Sequence, residues 1–192
     1  MTDLPSEYSL EERRWLLRLA HMSIRSAVLD QPTDFPEASA HLREPRGAFT
    51  TLHENGQLRG CIGYVIAHAP LDQTIRETAR AAAMEDTRFS PVVAAELDAL
   101  QIEISVLSPM FRIAPEDVIV GRHGLMISHH GHRGLLLPQV PIEWGWDRET
   151  FLAQTCRKAG LPMDSWRHGA LLEAFTAEVF GESAPCESLR ED

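Results

Sequence analysis

The sequence lacks the features that would place it in a membrane or a secretory pathway. Residues Met1 to Glu7 are polar and do not form the basic start, apolar stretch and small-residue cleavage site of a secretory signal. No apolar run approaches the roughly 20 residues that a membrane-spanning helix needs, and the stretch from Gly134 to Val140 is interrupted by Pro138 and Gln139. We therefore expect a cytoplasmic protein with no membrane-spanning segment.

Cysteine and basic residues are also scarce. The three cysteines, Cys61, Cys156 and Cys186, form no Cys-x-x-Cys pair, so a disulfide framework and a structural zinc site have no basis in the sequence. We expect all three to be thiols. The formal net charge of -10 opposes nonspecific binding to nucleic acid phosphates, so nucleic acid is not an expected partner unless the chain carries a local basic cleft.

What remains is the composition of an ordinary globular protein. The chain has 192 residues, of which 44% are hydrophobic and 24% charged, which is enough to build one domain around a sizeable core. We predict a single domain over residues 1–192, structured over residues 10–182 and ending in a polar tail at 183–192.

The first half of the chain alternates between helical and strand patterns. Ser9 and Glu12 form a capping box, which marks a helix start. Asn55 and Gly56 supply the positive φ angles of a tight hairpin turn between two β-prone segments. The predicted elements are a helix that ends before Pro32, strands at 48–53 and 58–65, a helix at 71–84 and a strand at 101–107.

The second half repeats this order around a turn at His130 and Gly131. The predicted elements are strands at 125–128 and 133–137, a helix at 148–159, and one last strand through Phe175, Ala177 and Val179. The dipeptide Arg59-Gly60 recurs as Arg133-Gly134 at the same relative place, although one such match can arise by chance. We predict an α+β fold of mostly antiparallel sheet, in which two related hairpin-helix-strand lobes, at 10–108 and 109–182, leave a cleft between them.

Six segments of the chain carry recognisable motifs, namely Leu58 to Gly63, Asp86 to Pro91, Glu103 to Ser108, Gly134 to Val140, Gly145 to Asp147 and Lys158 to Leu161. They resemble segments of the AMMECR family, protein A of the AmmeMemoRadiSam set, and Leu58 to Gly63 is similar to the family's signature. Asp86 to Pro91 departs from the family at Thr87, where proline is usual. Together they cover residues 10–182 in the right order, which is far more specific than any single motif.

The resemblance implies an α+β fold with two lobes around a crevice lined by the signature residues, and it implies no particular reaction or cofactor. Family members are encoded near, or fused to, Memo-like proteins and radical S-adenosylmethionine proteins, which are therefore the partners we expect. The three-cysteine cluster motif of the radical proteins is absent, so this chain is not expected to hold their iron–sulfur cluster.

Cys61 is the candidate catalytic residue. It lies between Gly60 and Gly63 on a strand, where small neighbours allow a ligand or another backbone to approach closely, and Arg59 is a cation that favours a nearby thiolate. The alternative is a buried thiol that only fills space. The sequence leaves both interpretations open.

Polar residues of two other segments are candidates for binding. Arg88 beside Phe89 offers a planar cation and an aromatic face to an anionic or flat ligand, unless Arg88 instead pairs with Asp86 or Glu103. Glu103 and Ser105 point the same way from a strand whose other face is apolar, so they line either solvent or the cleft.

Other chemically suggestive residues have simpler explanations. The turn at His129 to His132 carries three imidazoles, but on a hairpin tip they diverge, so we predict an exposed turn and no metal site. Trp144, Trp146 and Trp166 are expected to pack between helix and sheet. Lys158 lies near a helix end, where a cation is favoured by the unpaired carbonyls, although its match to the family keeps it a candidate.

Two functions fit these observations. One is a substrate-binding or adaptor component that docks on a Memo-like or radical S-adenosylmethionine protein. The other is a small-molecule enzyme in which Arg59 and Arg88 orient an anionic or planar substrate and Cys61 acts as nucleophile or acid. The binding candidates are Arg59, Gly60, Gly63, Arg88, Phe89, Glu103, Ser105, Pro138, Gln139 and Lys158. We expect one concave surface to contain Arg59, Cys61, Arg88, Glu103 and Gln139.

Overall fold

The computed structural model of the chain describes residues 6–182, so Cys186 and the predicted polar tail at 183–192 lie outside the described residues. The helices are α1 (Leu10–Leu29), α2 (Leu71–Met84), α3 (Val140–Glu143) and α4 (Arg148–Lys158). The strands are β1 (Ala48–Glu54), β2 (Gln57–Tyr64), β3 (Leu100–Leu107), β4 (Phe111–Arg112), β5 (Gly124–His129), β6 (His132–Leu136), β7 (Leu171–Phe175) and β8 (Ala177–Gly181). No helix within the described residues is long and apolar enough to cross a membrane.

Helix α1 begins at the predicted capping box. The backbone N–H of Glu12 donates to the Ser9 hydroxyl at 3.2 Å, and the Glu12 carboxylate accepts from the Ser9 backbone N–H at 2.9 Å. The helix ends when Asp30 takes the left-handed conformation, with φ 50°. The predicted start is therefore confirmed, and the helix stops just before Pro32.

The first sheet has the strand order β2-β1-β3-β8, and β1 runs antiparallel to both β2 and β3. Its inner face packs with α1 and α2 around an apolar core. Fully buried members of this core include Leu16, Leu52, Ile75, Ile102 and Ile104. The outer face of the sheet carries the other set of alternating side chains, which are mostly polar and half-buried.

The second sheet has the strand order β4-β7-β5-β6. Helix α4 follows its β5–β6 hairpin, whose turn places His130 at φ 46° and Gly131 at φ 84°. Buried members of its core include Leu125, Ile127, Phe151, Leu152 and Ala174. Both predicted hairpins, at Asn55-Gly56 and His130-Gly131, are confirmed.

The prediction of one last strand is wrong. Phe175 ends β7, which pairs with β5 in the second sheet, whereas Ala177 and Val179 belong to β8, which neighbours β3 in the first sheet. Between them, Thr176 exchanges hydrogen bonds with Ser108, and the chain changes sheets there. One compact unit accordingly contains the described residues through Val106 and from Glu178 onward, and the other contains Leu107–Ala177.

The two sheets share one topology. Starting from the second hairpin strand, the orders are β2-β1-β3-β8 and β6-β5-β7-β4, so each sheet contains a hairpin, a later strand beside it and a fourth strand, which follows the others in the chain in the first sheet and precedes them in the second. A Cβ added at Gly60 would overlap the carbonyl oxygen of Ala82 in α2, and one at Gly134 would overlap the backbone nitrogen of Ala159 after α4. Both glycines therefore allow a helix to approach the return strand, which supports the predicted duplication.

Candidate functional site

A β-bulge in strand β2 decides where the signature residues point. Leu52 pairs with Gly60 but His53 pairs with Leu58, so Arg59 is an extra residue in β2. Counting back from the Asn-Gly turn without a bulge would place Cys61 opposite the buried residue Thr50. The bulge shifts the pairing by one residue, which moves Cys61 to the outer face of the sheet.

Cys61 thus heads a row of three polar side chains across neighbouring strands. Thr51 of β1 faces Cys61 on one side and Glu103 of β3 on the other. The Thr51 hydroxyl donates a hydrogen bond to the Cys61 Sγ at 3.3 Å. Ser105 lies on the same face of β3 as Glu103. We call these four half-buried residues, Thr51, Cys61, Glu103 and Ser105, the Cys61 face.

Glu103 is the unusual member of the Cys61 face. Its carboxylate has no hydrogen bond or ion pair with any residue between 6 and 182, although the residue is half-buried. An ionised carboxylate can accept several hydrogen bonds, and that of Glu103 projects from a rigid strand with none of them used by the described residues. Glu103 is therefore a side chain with unused capacity to accept hydrogen bonds.

Asp86 and Arg88 occupy the open edge of β2, the outermost strand of the first sheet. The Cys61 backbone N–H donates to Asp86 Oδ2 at 2.8 Å, and Arg88 Nη2 donates to the Cys61 carbonyl at 3.3 Å. These two side chains thereby bind the strand edge where another strand would otherwise add. They also pair with each other, Nε to Oδ1 at 2.9 Å and Nη2 to Oδ2 at 2.6 Å.

The Asp86–Arg88 pair has one buried and one exposed partner. The side chain of Asp86 is 4% exposed and that of Arg88 is 54% exposed. Hydrogen bonds from Arg88, followed by those from the backbone of Cys61 and Arg88, hold the pKa of Asp86 far below its ordinary value despite burial. The Arg88 guanidinium carbon lies 5.5 Å from the centre of the half-buried Phe89 ring.

Arg59 has a different partner, Glu96. Its Nε and Nη2 donate to the two carboxylate oxygens of Glu96 at 2.7 and 3.1 Å, and its Nη1 donates to the carbonyl of Ser90 at 2.9 Å. Both charged side chains are mostly buried, at 14% and 19% exposed. The hydrogen bonds with Arg59 lower the pKa of Glu96 and raise the pKa of Arg59. Arg59 is therefore a structural cation that fixes the bulge.

The two signature glycines also have packing explanations. Gly60 admits the backbone of α2, as described above. A Cβ added at Gly63 would overlap the ring of Phe49 on the neighbouring strand. Neither glycine needs a ligand to explain its presence in the strand.

The predicted binding residues of the second unit have their own local settings. Pro138 is buried and Gln139 exposed in the turn that leads into α3, and Lys158 is the exposed last residue of α4. Their convergence with the first-unit candidates stays a prediction.

The tryptophan interpretation needs one correction. Trp146 and Trp166 pack partly buried against the second core, as predicted. Trp144, by contrast, is 70% exposed and stacks on Trp146 with ring centres 6.1 Å apart. It follows the four-residue helix α3 and does not lie between helix and sheet.

The chemistry available at the Cys61 face is that of hydrogen bonding. A thiol, two hydroxyls and a carboxylate are present, but nucleophilic catalysis also needs a base within hydrogen-bond reach of the thiol. Among the described residues, the Thr51 hydroxyl bonds to the Cys61 Sγ and the Arg88 guanidinium lies close to it, but neither group is a base, and the imidazole of His53 on the same strand as Thr51 makes no hydrogen bond to the thiol. Nor do these residues include three His, Cys, Asp or Glu side chains placed to hold a metal ion.

Sequence reasoning missed Thr51 and Glu96. The position of Thr51 beside Cys61 depends on the register between β1 and β2, which the bulge shifts by one residue. Glu96 lies between α2 and β3 in a segment without a periodic pattern, so no local signal pairs it with Arg59. The turn residues Asn55 and Gly56 alone would have assigned the wrong neighbour to Cys61.

Comparison with known proteins covers nearly the whole described chain. The AMMECR1 family model matches residues 17–180. A protein from Thermococcus onnurineus is 45% identical over 185 residues, with 89% of this chain and 90% of that protein covered. Protein MJ0810 from Methanocaldococcus jannaschii is 39% identical over 187 residues, with 92% and 93% covered.

A solved structure supports the same relationship at the level of fold. The crystal structure of the uncharacterised protein PH0010 from Pyrococcus horikoshii matches with a TM-score of 0.71 at 40% identity, covering 90% of this chain and 93% of that chain. The α+β fold with its two antiparallel sheets is thereby confirmed. Since family model, relatives and fold agree over most of its length, the chain belongs to the AMMECR1 family.

Proposed function

We propose that the chain is a substrate-binding or adaptor component that acts in the cytoplasm with Memo-like and radical S-adenosylmethionine proteins, and that it holds its ligand at the Cys61 face. The partners are those that the family resemblance implies. The observation that carries the proposal is the carboxylate of the half-buried residue Glu103, which has no partner among residues 6–182 although neighbouring signature charges are paired.

The Cys61 face is held rigidly enough to select a ligand. Thr51 lies on β1, which is hydrogen-bonded on both sides, and the backbone of Cys61 is fixed by Asp86 and Arg88. Side chains on strands keep their geometry better than those on loops, so a ligand meets a preorganised surface. A ligand amide, amine or hydroxyl would give Glu103 the hydrogen bond that it lacks.

Arg88 extends this surface at the edge of β2. Its Nε and Nη2 are used by Asp86 and Cys61, but its Nη1 makes no hydrogen bond within the described residues. The ion pair fixes the guanidinium plane while its outer edge stays exposed beside the Phe89 ring. This arrangement suits a small ligand with an oxygen acceptor or a flat group.

The enzyme alternative has less support from the geometry. Arg59 is engaged by Glu96 and mostly buried, so it is not a free cation for orienting a substrate. The thiol of Cys61 also lacks a bonded base among the described residues. Reaction of Cys61 with iodoacetamide, followed against pH, separates the two functions: thiolate reactivity at neutral pH favours the enzyme, and an unreactive thiol favours binding.

A retention assay tests the proposal. The Memo-like and radical proteins of the same genome are immobilised in turn, and retention of the wild-type chain is compared with that of Glu103→Gln. Loss of one charge-assisted hydrogen bond should weaken retention about tenfold or more. Glu85→Gln is the matched control, because Glu85 is an exposed carboxylate of the same unit, paired with Arg80.

Two outcomes would overturn the proposal. One is failure of the wild-type chain to associate with either protein, with or without cell extract as a source of small ligands. The other is equal weakening by Glu103→Gln and Glu85→Gln, which would show that only the overall charge matters. The free energy of unfolding of each variant, measured alongside, should match that of the wild type.

A further inference from the structure

Helix α1 carries a stripe of cations on its exposed side. Arg14, Arg18, His21 and Arg25 recur at spacings of four, three and four residues, which places them on one helix face. From Arg13 to the end of the helix there is no carboxylate. This concentration of positive charge stands out in a chain whose formal net charge is -10.

A groove of about 510 Å³ runs along this stripe within the first unit. Arg18 and Arg25 line one side of it. Met22 of α1, together with Leu97 and Leu100 from the approach to β3, supplies apolar lining. We call this feature the α1 groove.

The arginines of the α1 stripe are largely unneutralised. Arg25 lies 3.9 Å from Asp98, but its side chain is 63% exposed and that of Asp98 fully exposed, so the pair is weak. Arg14 and Arg18 are exposed and form no ion pair with any residue from 6 to 182. His21 differs, because it lies 2.7 Å from Glu182 at the rim of the groove.

We propose that the α1 groove docks an acidic segment of a partner protein. Carboxylates of the segment would face Arg18 and Arg25 in the groove and Arg14 one helical turn before it, and an apolar side chain would pack on Met22 and Leu97. Charge complementarity of this kind steers association and fixes orientation. The α1 groove shares no residue with the Cys61 face, so this proposal does not rest on the function proposed above.

An acidic polypeptide fits the groove better than a nucleic acid does. Asp98 and Glu182 line the groove beside Arg18 and Arg25, so its charges alternate. A polypeptide can place uncharged residues beside the two carboxylates and its own carboxylates beside the arginines, whereas a continuous phosphate backbone is charged at every position. The apolar lining has no counterpart in a phosphate strand, whereas it matches a leucine-like side chain between carboxylates.

The test uses the full chain and a fluorescein-labelled synthetic peptide of glutamate and leucine, with binding followed by fluorescence anisotropy. The double variant Arg18→Gln/Arg25→Gln should weaken binding about tenfold, and added salt should weaken wild-type binding too. Arg43→Gln/Arg80→Gln is the control, because these arginines of the same unit are similarly exposed and lie outside the groove.

Four results would overturn the proposal. They are equal weakening by both double variants, equal binding of a peptide with glutamine in place of glutamate, and tighter binding of a labelled single-stranded oligonucleotide than of the acidic peptide. The fourth is peptide binding only after residues 183–192 are removed, which would assign the groove to the chain's own end.

Discussion

Replacing Arg88 with alanine should destabilise the first unit through the carboxylate that it leaves behind. Asp86 accepts four hydrogen bonds, two from the Arg88 side chain and two from the backbone N–H groups of Cys61 and Arg88. Arg88→Ala removes the two charged bonds but not the two backbone ones. A carboxylate whose side chain is only 4% exposed then has no cation.

The size of the loss follows from the burial of the two partners. Breaking a fully buried ion pair costs about 3–5 kcal/mol, and breaking an exposed one costs about 1 kcal/mol or less. Because Arg88 is half-exposed and two backbone donors remain, we expect the free energy of unfolding to fall by about 2 kcal/mol at neutral pH.

Arg80→Ala is the matched control for this substitution. The Arg80–Glu85 pair has the same 2.6 Å separation as the pair of Arg88 with Asp86, but its side chains are 58% and 53% exposed. Its loss should cost no more than about 0.5 kcal/mol. The two variants therefore separate burial of the carboxylate from distance between the charges.

The effect of Arg88→Ala should also depend on pH. The folded pKa of Asp86 is depressed, so the carboxyl stabilises the wild-type fold above its unfolded pKa of about 3.9, and this stability is lost as the pH falls toward the folded pKa. In the variant the pKa of Asp86 rises, and little of this pH dependence remains. The difference in the free energy of unfolding between wild type and variant should therefore be about 1 kcal/mol smaller at a pH of about 3 than at a pH of about 7.

Urea unfolding followed by circular dichroism, at a pH of about 7 and at a pH of about 3, measures the loss of stability in Arg88→Ala and its change with pH. A loss below about 0.5 kcal/mol at neutral pH would refute the structural role of the pair. A loss of full size that does not change with pH would refute the electrostatic explanation, since uncharged packing would then account for it.

Three further predictions concern packing, the second thiol and pH. Gly60→Ala and Gly134→Ala should each lower the free energy of unfolding by about 1–3 kcal/mol, measured by thermal or urea unfolding, because each added Cβ overlaps a helix backbone. Cys156 is fully buried and burial raises its pKa, so mass spectrometry should find it alkylated by iodoacetamide only after unfolding. The hydrogen bond with Glu12 raises the pKa of His41, so the protonated imidazole stabilises the fold below a pH of about 6.5, and this stability is lost as the pH rises through the folded pKa. His41→Gln should remove this pH dependence of the free energy of unfolding, measured by unfolding curves at several pH values.

The elements that could be predicted from the sequence have local causes. The capping box of Ser9 and Glu12 starts α1 through bonds between residues three apart. The hairpin of β1 and β2 follows from two residues that accept positive φ, Asn55 at 51° and Gly56 at 75°. The helix predicted over 71–84 matches α2, because its apolar residues recur at helical spacing.

The elements that could not be predicted depend on contacts between distant segments. Strand β4 is two residues long, and its place beside β7 is set by pairing with residues about 60 positions later, which no local pattern encodes. The division of the last strand at Thr176 has the same origin. The residues from Phe175 to Val179 alternate as in a single strand, but Phe175 pairs in the second sheet and Ala177 and Val179 lie in the first.

The candidate site shows the same limit. The sequence offers Asp86 as one candidate partner of Arg88, because the two lie two residues apart, and the structure pairs them. Thr51 was missed because one extra residue in β2 reverses which face of the strand Cys61 occupies. Local charge pairs could be predicted, whereas the face of the strand could not.

Corresponding rows of the two sheets argue that the proposed function belongs to the first unit. A row here is a set of residues that lie side by side on neighbouring strands. The row that begins after Gly60 in the first sheet consists of Cys61, Thr51 and Glu103, and the row that begins after Gly134 in the second consists of Leu135, Met126 and Glu173. A glycine precedes each row and a glutamate ends each row, which a duplicated scaffold would explain. The thiol and the hydroxyl occur only in the first row, where the second has apolar side chains. The polar row is therefore not a requirement of the fold, since a related sheet forms without it, and this makes the Cys61 face the part of the scaffold most open to a role in binding.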